Sequence, residues 1–234
     1  MEGYIVIDKP SGITSAKVVA IVKGITRVKK VGHTGTLDPL ATGILPIALG
    51  RGATKTISLV MNGEKEYVFT VKWGEETDTL DMEGVVEKTD ENNNYKNLTK
   101  EQIIAVLPKF VGDIEQTPPI YSAIKINGKR ACDRVRAGEE VEIKPRIVKI
   151  YSLELLETSL EDEIKTAKFK VRCGKGTYVR SLARDIAYAL DTCCYVTQLR
   201  RTHSSPFSED QAITLDELRA LESHESVLLP IVTE

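Results

Sequence analysis

One stretch of the sequence, residues 32–50, surrounds a single carboxylate with apolar residues and helix breakers. It reads GHTGTLDPLATGILPIALG and contains four glycines, two prolines and one charged residue, Asp38. Glycine permits backbone conformations closed to other residues, and Pro39 stiffens the chain directly after Asp38. We therefore predict that residues 32–43 form an ordered loop, not a regular element, and that this loop holds Asp38 and His33 in place.

The carboxylate of Asp38 allows two interpretations. A charged group among apolar neighbours is costly unless it is paired or takes part in chemistry. In the structural interpretation Asp38 caps its own backbone in an Asx-turn, which L-D-P alone would favour. In the functional interpretation it acts as a nucleophile or base, with a guanidinium as its partner. No second carboxylate lies nearby in the sequence, which argues against paired acid/base hydrolysis of the glycosidase type.

Two further stretches supply candidate side chains for binding. KGTYVRSLARD (175–185) places Tyr178 and Arg180 at a predicted loop-to-helix junction among basic residues. Arginine can hold a carboxylate or a phosphate with two hydrogen bonds, and tyrosine can stack on a base. QTPPIYSAIKINGKR (116–130) predicts a proline-stiffened extended loop followed by a basic strand or hairpin, which could equally be an ordinary surface hairpin.

Three other features have a structural interpretation by default. Tyr67, at the head of a predicted strand, is most simply a packed aromatic, and Leu199 is most simply a core residue. LGRGATKT (49–56) is similar to a phosphate-binding loop, but that motif requires glycine directly before the lysine, where Thr54 stands. We therefore do not expect a nucleotide site there.

The composition is that of a globular protein. The chain has 234 residues, of which 41% are hydrophobic and 28% charged, and no run of about 18 apolar residues predicts a membrane span. Position 2 is an acid and no basic region precedes the first apolar run, so we do not expect a signal peptide. The cysteines form no C-x-x-C pair and the three histidines are scattered, so neither a disulfide framework nor a metal site is expected. A cytoplasmic protein fits best, and nothing demands more than a monomer.

Charge is distributed unevenly along the chain. Residues 11–55 contain seven Lys or Arg and one acid, and residues 165–201 contain nine against two. Residues 74–91 carry eight acids and one lysine, and residues 203–234 carry seven acids and one arginine. Such basic segments can form a positive face for a polyanion, or they can be ordinary solvated surface. Charge alone leaves both interpretations open.

Hydrophobic periodicity and capping residues predict interleaved strands and helices without a regular βαβ repeat. We therefore expect one domain of the α/β (α+β) class with a mixed sheet. The predicted elements are a strand at 4–8, a helix with Ser15 as N-cap, strands at 67–73 and 167–173, capped helices after Thr99 and Thr214, and a helix from Thr177 whose apolar stripe is Val179, Leu182, Ala183, Ile186 and Leu190.

The assembled motifs resemble the TruB family, the tRNA pseudouridine-55 synthases, over essentially the whole chain. The G-H-T-G-T-L-D-P block is long and specific. The matching segments are DKPSG (8–12), GHTGTLDPLATGILPIALG (32–50), EKEYVF (64–69), TDTLDMEG (77–84), the F-x-G-x-x-x-Q-x-P-P-x-Y-S-A-x-K pattern (110–125), GTYVRSLARD (176–185) and LRRT (199–202).

The resemblance implies a pseudouridine synthase fold, with a mixed, mostly antiparallel sheet flanked by helices and loops. It implies isomerisation of the uridine at position 55 in the T-loop of tRNA, on a nucleotide flipped out of the loop, without metal or nucleotide cofactor. Asp38 would be the nucleophile and Arg180 its partner, and Tyr67 would stack on the base and handle the C5 proton. The remaining pocket residues would be His33, Tyr178 and Leu199.

The sequence also departs from the family pattern. Arg51 and Gly52 both intervene where one residue is usual, and Cys132 and Arg134 stand at places that are commonly aromatic or apolar. The chain ends about where bacterial members carry a small PUA domain, which we therefore expect to be absent from this sequence. The alternative function is a tRNA-binding factor that refolds tRNA and whose catalysis is weak or dispensable.

Overall fold

A computed structural model describes residues 1–122, 124–126 and 128–233. The helices are α1 Ser15–Thr26, α2 Gly50–Lys55, α3 Ile57–Asn62, α4 Lys100–Val106, α5 Ala131–Arg136, α6 Val179–Tyr188 and α7 Leu215–Ala220. The strands are β1 Gly3–Lys9, β2 Val31–His33, β3 Thr42–Leu49, β4 Lys65–Trp73, β5 Glu75–Thr77, β6 Val86–Thr89, β7 Gly112–Gln116, β8 Lys125–Ile126, β9 Lys129–Arg130, β10 Arg146–Ser159, β11 Thr166–Cys173, β12 Cys194–Ser204, β13 Phe207–Ser208 and β14 Ala212–Ile213.

The chain divides into two compact units. Unit 1 comprises Met1–Val68 and Gln198–Glu234, and unit 2 comprises Phe69–Thr197. The boundary falls within β4 and within β12, so each of these strands contributes residues to both units. The single-domain interpretation of the sequence stays a prediction.

Unit 1 is built on strands in the order β14-β1-β3-β12, with β2 added to β3 and β13 added to β12. β1 and β3 are antiparallel from the pair Gly3↔Leu49 to the pair Lys9↔Gly43, whereas β14 is parallel to β1 and β12 is parallel to β3. Nearly every residue of β1 and β3 is buried. Continuous burial explains why both strands are apolar runs without alternation, as in sheets covered on both faces. The predicted strand at 4–8 is confirmed as the centre of β1.

The first helix begins as the sequence predicts, but its cap is one residue earlier. Thr14 is the N-cap of α1, and its hydroxyl accepts a hydrogen bond from the Lys17 N–H at 3.1 Å. The prediction of Ser15 as N-cap was therefore wrong. Both residue types can cap a helix, and the choice is made by a tertiary contact, because the Ser15 hydroxyl is engaged by Leu37.

The loop predicted at 32–43 is shorter than expected. Gly32 and His33 belong to β2, and Thr42 and Gly43 begin β3, so the loop proper covers residues 34–41. The glycines do not prevent pairing at either end: His33 pairs with Ile47 and Gly43 pairs with Lys9. Two strands therefore fix the ends of the segment that carries Asp38.

Unit 2 contains strands in the order β4-β11-β10-β7, and β10 is antiparallel to both its neighbours. Phe169, Val171 and Cys173 are buried on one face of β11, as the period-two pattern predicts. The Phe69 and Phe169 rings stack with centroids 5.2 Å apart, and Trp73 meets Phe169 edge-on at 6.4 Å. All three rings are buried, so these aromatic contacts belong to the core of unit 2.

Two smaller hairpins complete the strands of unit 2. β5 pairs with β6, and β8 pairs with β9. The second pair is the hairpin predicted within 116–130, although Asn127 lies outside the described residues. Ala123, in the matching pattern at 110–125, also lies outside them.

The two helix caps predicted as capping boxes, one in each unit, are confirmed. Thr99 and Thr214 each form a capping box with the residue three positions later, as T-x-x-Q and T-x-x-E predict. The apolar stripe predicted from Thr177 lies on α6, which ends at Tyr188, so Leu190 falls beyond the helix.

The predicted fold class is confirmed, since the strands of each unit pair mostly antiparallel, unit 1 also contains parallel pairs, and both units contain helices and loops. Within the described ranges, no helix combines the length and the apolar character needed to cross a membrane.

Candidate active site

Asp38 lies half-buried in the loop between β2 and β3, in unit 1. The preceding residue is clamped to the first residue of α1 in both directions. The Leu37 N–H donates to the Ser15 hydroxyl at 2.8 Å, and that hydroxyl donates to the Leu37 carbonyl at 3.0 Å. Because both bonds are buried, the backbone before Asp38 is fixed to the helix.

The residue after Asp38 is held by a buried lysine of the DKPSG segment. The Lys9 ammonium is inaccessible to solvent and donates to the carbonyls of Pro10, Ile13 and Pro39 at 2.8, 2.8 and 3.0 Å. The Gly12 N–H donates to the same Pro39 carbonyl at 2.8 Å. Three carbonyl dipoles compensate the buried charge, and together with Gly12 they tie the Asp38 loop to the end of β1.

Arg201 of β12 holds the same loop from a third direction. Its side chain is buried, with Nε donating to the Ile44 carbonyl at 2.9 Å and a terminal nitrogen donating to the Gly35 carbonyl at 3.3 Å. The adjoining strand comes so close that a Cβ on Gly43 would lie 2.2 Å from the Arg201 carbonyl oxygen. Neither Lys9 nor Arg201 was selected from the sequence, although both lie in the matching DKPSG and LRRT segments.

His33 ends β2 and is held in one tautomer. Its Nδ1 accepts a hydrogen bond from the Gly35 N–H at 3.3 Å, so the ring proton is on Nε2. Burial, and secondly the positive charge of Arg201, lower the pKa of His33 below the ordinary histidine value. His33 is therefore a neutral ring near pH 7, with its Nε2–H as a donor.

Tyr67 and Leu199 are also residues of unit 1. Tyr67 is half-buried on β4, two residues after Lys65, whose buried ammonium donates to three carbonyls at and just after the end of α3. The Thr202 hydroxyl donates to the Glu66 carboxylate at 2.8 Å. The strand next to Tyr67 is therefore anchored at both preceding residues. Leu199 is 6% exposed on β12.

In unit 2, Arg180 lies on the first turn of α6, and its buried side chain is held by several partners. Its guanidinium donates to the carbonyls of Thr79 and Tyr121 at 2.5 and 3.1 Å, and lies 3.5 Å from an Asp81 carboxylate oxygen. The side chains of Arg180 and Asp81 are each 4% exposed. A buried pair of this kind is stable only when further hydrogen bonds satisfy both partners.

Asp81 has the hydrogen bonds that such burial requires. One of its carboxylate oxygens accepts from the Thr79 hydroxyl at 2.6 Å and from the Glu83 N–H at 3.1 Å. The Thr77 hydroxyl donates to the Asp81 carbonyl at 2.6 Å. Asp81 lies in the TDTLDMEG segment, but no role was predicted for it from the sequence. The sequence does place Thr77 and Thr79 close to Asp81, and threonine hydroxyls can donate hydrogen bonds to a carboxylate.

Tyr178 is the N-cap residue of α6 and is held through its backbone. The Gln116 side-chain amide bonds it twice, donating to the Tyr178 carbonyl at 3.1 Å and accepting from the Tyr178 N–H at 2.8 Å. The Arg146 guanidinium lies over the Tyr178 ring, 5.1 Å from its centroid. A half-buried tyrosine with a fixed backbone can offer a ring for stacking.

The glycine-rich segment at 49–56 has an internal partner. It forms α2, and the Glu2 carboxylate accepts hydrogen bonds from the N–H groups of Arg51 and Gly52 at 3.1 and 3.3 Å. A Cβ on Gly52 would lie 2.8 Å from a Glu2 oxygen. The chain's own carboxylate takes the place that a phosphate takes in a nucleotide-binding loop.

The predicted site residues therefore fall in two groups. His33, Asp38, Tyr67 and Leu199 lie in unit 1, and Tyr178 and Arg180 lie at the start of α6 in unit 2. Their roles, including the pairing of Arg180 with Asp38, stay predictions. Among the described residues, no group of three or more His, Cys, Asp or Glu is placed to hold a metal ion.

Comparison with known families accounts for almost the whole chain. Residues 23–179 match the TruB family pseudouridylate synthase N-terminal domain, and residues 180–233 match the tRNA pseudouridylate synthase B C-terminal domain. The tRNA pseudouridine synthase B of Bradyrhizobium diazoefficiens is 52% identical over 94% of this chain and 62% of its own length. That of Bartonella bacilliformis is 51% identical over 97% of this chain and 68% of its own length. The chain thus spans about two thirds of these relatives.

Solved structures show the same fold. A chain from a Cbf5-Nop10-Gar1 complex is 34% identical, with a TM-score of 0.68 over 92% of this chain and 52% of its own length. A chain from an H/ACA RNP bound to a substrate RNA containing 2'-deoxyuridine is 30% identical, with a TM-score of 0.69 over 98% of this chain and 59% of its own length.

Proposed function

The chain belongs to the TruB family of pseudouridylate synthases, and from that premise we propose that it converts uridine 55 in the T-loop of tRNA to pseudouridine. The observation that carries the proposal is the loop around Asp38. Its backbone is held by hydrogen bonds from three buried side chains, those of Lys9, Ser15 and Arg201. Such preorganisation is expected of a residue that must meet its substrate in one geometry.

In the proposed reaction the bond between C1′ and N1 of uridine breaks and a bond between C1′ and C5 forms. C5 loses its proton, and N1 of the product carries one. Asp38 is the nucleophile, attacking either the sugar or the base, and it is regenerated when the new glycosidic bond has formed. Atoms and charge balance without an oxidant, a metal or a nucleotide.

The other roles in this proposal follow the family resemblance. Arg180 is the cation that pairs with the Asp38 carboxylate and holds it ready between turnovers, since a guanidinium can hold a carboxylate with two hydrogen bonds. Its rigid, buried position and its hydrogen bonds to two carbonyls support a positioning role. Tyr67 stacks on the target base and handles the C5 proton. His33, as a neutral ring with one donor, contacts the nucleotides extruded from the loop.

Extrusion sets an energetic requirement for the pocket. Flipping a base out of a folded loop costs a few kcal/mol. Stacking on aromatic side chains returns about 1–3 kcal/mol per base, which one ring such as Tyr67 or Tyr178 can supply. Leu199 would contribute an apolar wall. We further propose that the protein acts as a monomer in the cytoplasm and recognises the T-arm.

The experiment is to incubate the chain with unmodified tRNA and map pseudouridine by carbodiimide modification and primer extension. The expected result is one new stop, at position 55. A tRNA in which that uridine is replaced by cytidine serves as the control and should give none. Stops at several other uridines, or no stop despite tRNA binding, would contradict the proposed function.

A further inference from the structure

A basic crevice lies at the carboxyl end of α1, in unit 1. It has a volume of about 450 Å³ and is lined by Ala20, Lys23, Gly24, Arg27, Val28 and Lys29. The three cationic residues are all exposed. The crevice is therefore open to a large ligand, and all its charged lining residues are positive.

Salt bridges within the described part of unit 1 do not neutralise this charge. In the described part of unit 1, no carboxylate lies within salt-bridge distance of Lys23, Arg27 or Lys29, whereas Arg200 and Arg219 there are both paired. A helix end attracts cations, but its dipole is equivalent to only about half a charge. The helix dipole therefore accounts for one cation at this end of α1, but it does not account for a cluster of three.

Packing within the protein does not require a glycine at position 24. It lies inside α1, where glycine is unfavourable relative to alanine, and its φ is not in the left-handed region. A Cβ built on it meets nothing within 4 Å. The space beside the backbone is thus left open between the cations, as a site of close approach for a ligand requires.

Arg27 occupies a backbone position that usually belongs to glycine. It ends α1 in the left-handed conformation, with φ 56° and ψ 16°, and its N–H donates to the Lys23 carbonyl at 3.0 Å. Glycine or asparagine is the usual residue at such a helix end. An arginine side chain thus stands at the crevice in a backbone position that favours glycine or asparagine.

From these features we propose that the basic crevice binds the phosphodiester backbone of the RNA substrate, close to the nucleotides contacted by His33. The inference rests on the proposed function. Lys29 precedes His33 by four residues, a span of at most about 14 Å of extended chain. Phosphates bound at the crevice would fix the position of the RNA strand, and they would carry no sequence information.

The test is the salt dependence of binding a T-arm stem-loop RNA, measured by filter binding between about 50 and 200 mM salt. The triple variant Lys23→Gln/Arg27→Gln/Lys29→Gln should bind at least about tenfold more weakly at low salt, with a salt slope shallower by about 2–3. The matched control removes three exposed lysines of unit 2, as Lys96→Gln/Lys100→Gln/Lys109→Gln. It makes the same change in net charge and should alter both quantities much less.

A single variant separates binding from folding. Gly24→Glu places a carboxylate in the crevice and exchanges glycine for a better helix former. Its Tm should stay close to that of the wild type, because the gain in helix propensity offsets the unfavourable position of a carboxylate at the helix end, while its affinity for the RNA falls. Equal losses in the two triple variants, or unchanged affinity and slope in the crevice triple variant, would overturn the proposal. The binding assay does not depend on turnover. If the protein binds the RNA but forms no pseudouridine, the proposed function is contradicted, whereas the binding results still test the crevice.

Discussion

At the scale of single residues, the most informative pair is Arg180 with Asp81. Both side chains are almost fully buried, and each makes further hydrogen bonds. Removing one partner of a buried pair leaves the other charge uncompensated, at a cost of about 3–5 kcal/mol. We expect Asp81→Ala to lower the free energy of unfolding by that order, measured by urea denaturation.

The matched control for that substitution is an exposed pair. Asp216 bonds Arg219 at 2.7 Å, with side chains 91% and 60% exposed. Asp216→Ala should therefore cost less than about 1 kcal/mol. If Asp81→Ala cost no more than Asp216→Ala, the buried pair would contribute nothing particular to the fold.

His33 should make stability depend on pH. Since burial and Arg201 lower its pKa in the folded state, the unfolded chain binds a proton that the folded chain does not. The resulting loss of stability begins as pH falls through the unfolded value, about 6.5, and continues to the lower folded pKa. We expect His33→Gln to lessen the fall in unfolding free energy from pH 7.5 to pH 5.5. A pH profile identical to that of the wild type would contradict this.

At the scale of elements, the ends of the Asp38 loop depend on how closely two strands approach. Gly43 has φ 95°, and a Cβ there would lie 2.2 Å from the Arg201 carbonyl oxygen. Gly138 has a comparable φ of 76°, but nothing lies within 4 Å of its Cβ. Gly138→Ala should therefore cost only backbone strain, about 1–2 kcal/mol.

Gly43→Ala carries the same strain and a clash with the backbone of β12. We expect it to lower the Tm clearly more than Gly138→Ala does, with both followed by circular dichroism. Similar effects of the two substitutions would show that the strands can separate at little cost.

The elements differ in how far the sequence could predict them. β1, β11 and the capped helices after Thr99 and Thr214 are determined by local pattern, and the structure confirms them. The choice between Thr14 and Ser15 as N-cap was not local, because Leu37 engages the Ser15 hydroxyl. Contacts across many residues are not visible in a local pattern.

The same distinction holds for the candidate site. The Asp38 segment could be recognised from its composition, because few other segments combine glycines, prolines and one acid in this way. Its supports could not, since Lys9 and Pro39 are thirty residues apart in the sequence. Asp81 was missed for a similar reason, because its partner Arg180 is distant in the sequence and both are ordinary surface residue types.

At the scale of the whole molecule, the thiols report on the integrity of the fold. Cys173, Cys193 and Cys194 are each 1% exposed, and Cys132 is half-buried. Burial raises the pKa of the Cys193 thiol to about 11 and that of Cys194 well above its ordinary value. Both thiols therefore stay protonated and unreactive at pH 8.

We expect Ellman's reagent to react rapidly with one thiol, Cys132, in the native protein, and with all four after denaturation. Alanine at position 132 should abolish the rapid phase. Any rapidly reacting thiol in the native Cys132→Ala variant would contradict the burial of the other three.

In the proposed function, Asp38 is the nucleophile of a tRNA uridine isomerase. The most direct measurement is tritium release from tRNA labelled at uridine C5, with the wild type compared with Asp38→Asn. We expect one tritium per tRNA from the wild type and none from the variant, which should keep its Tm and its affinity for tRNA. Release by Asp38→Asn at the wild-type rate would contradict the assignment of the nucleophile. Absence of release from both proteins, with tRNA bound, would instead favour a factor that refolds tRNA.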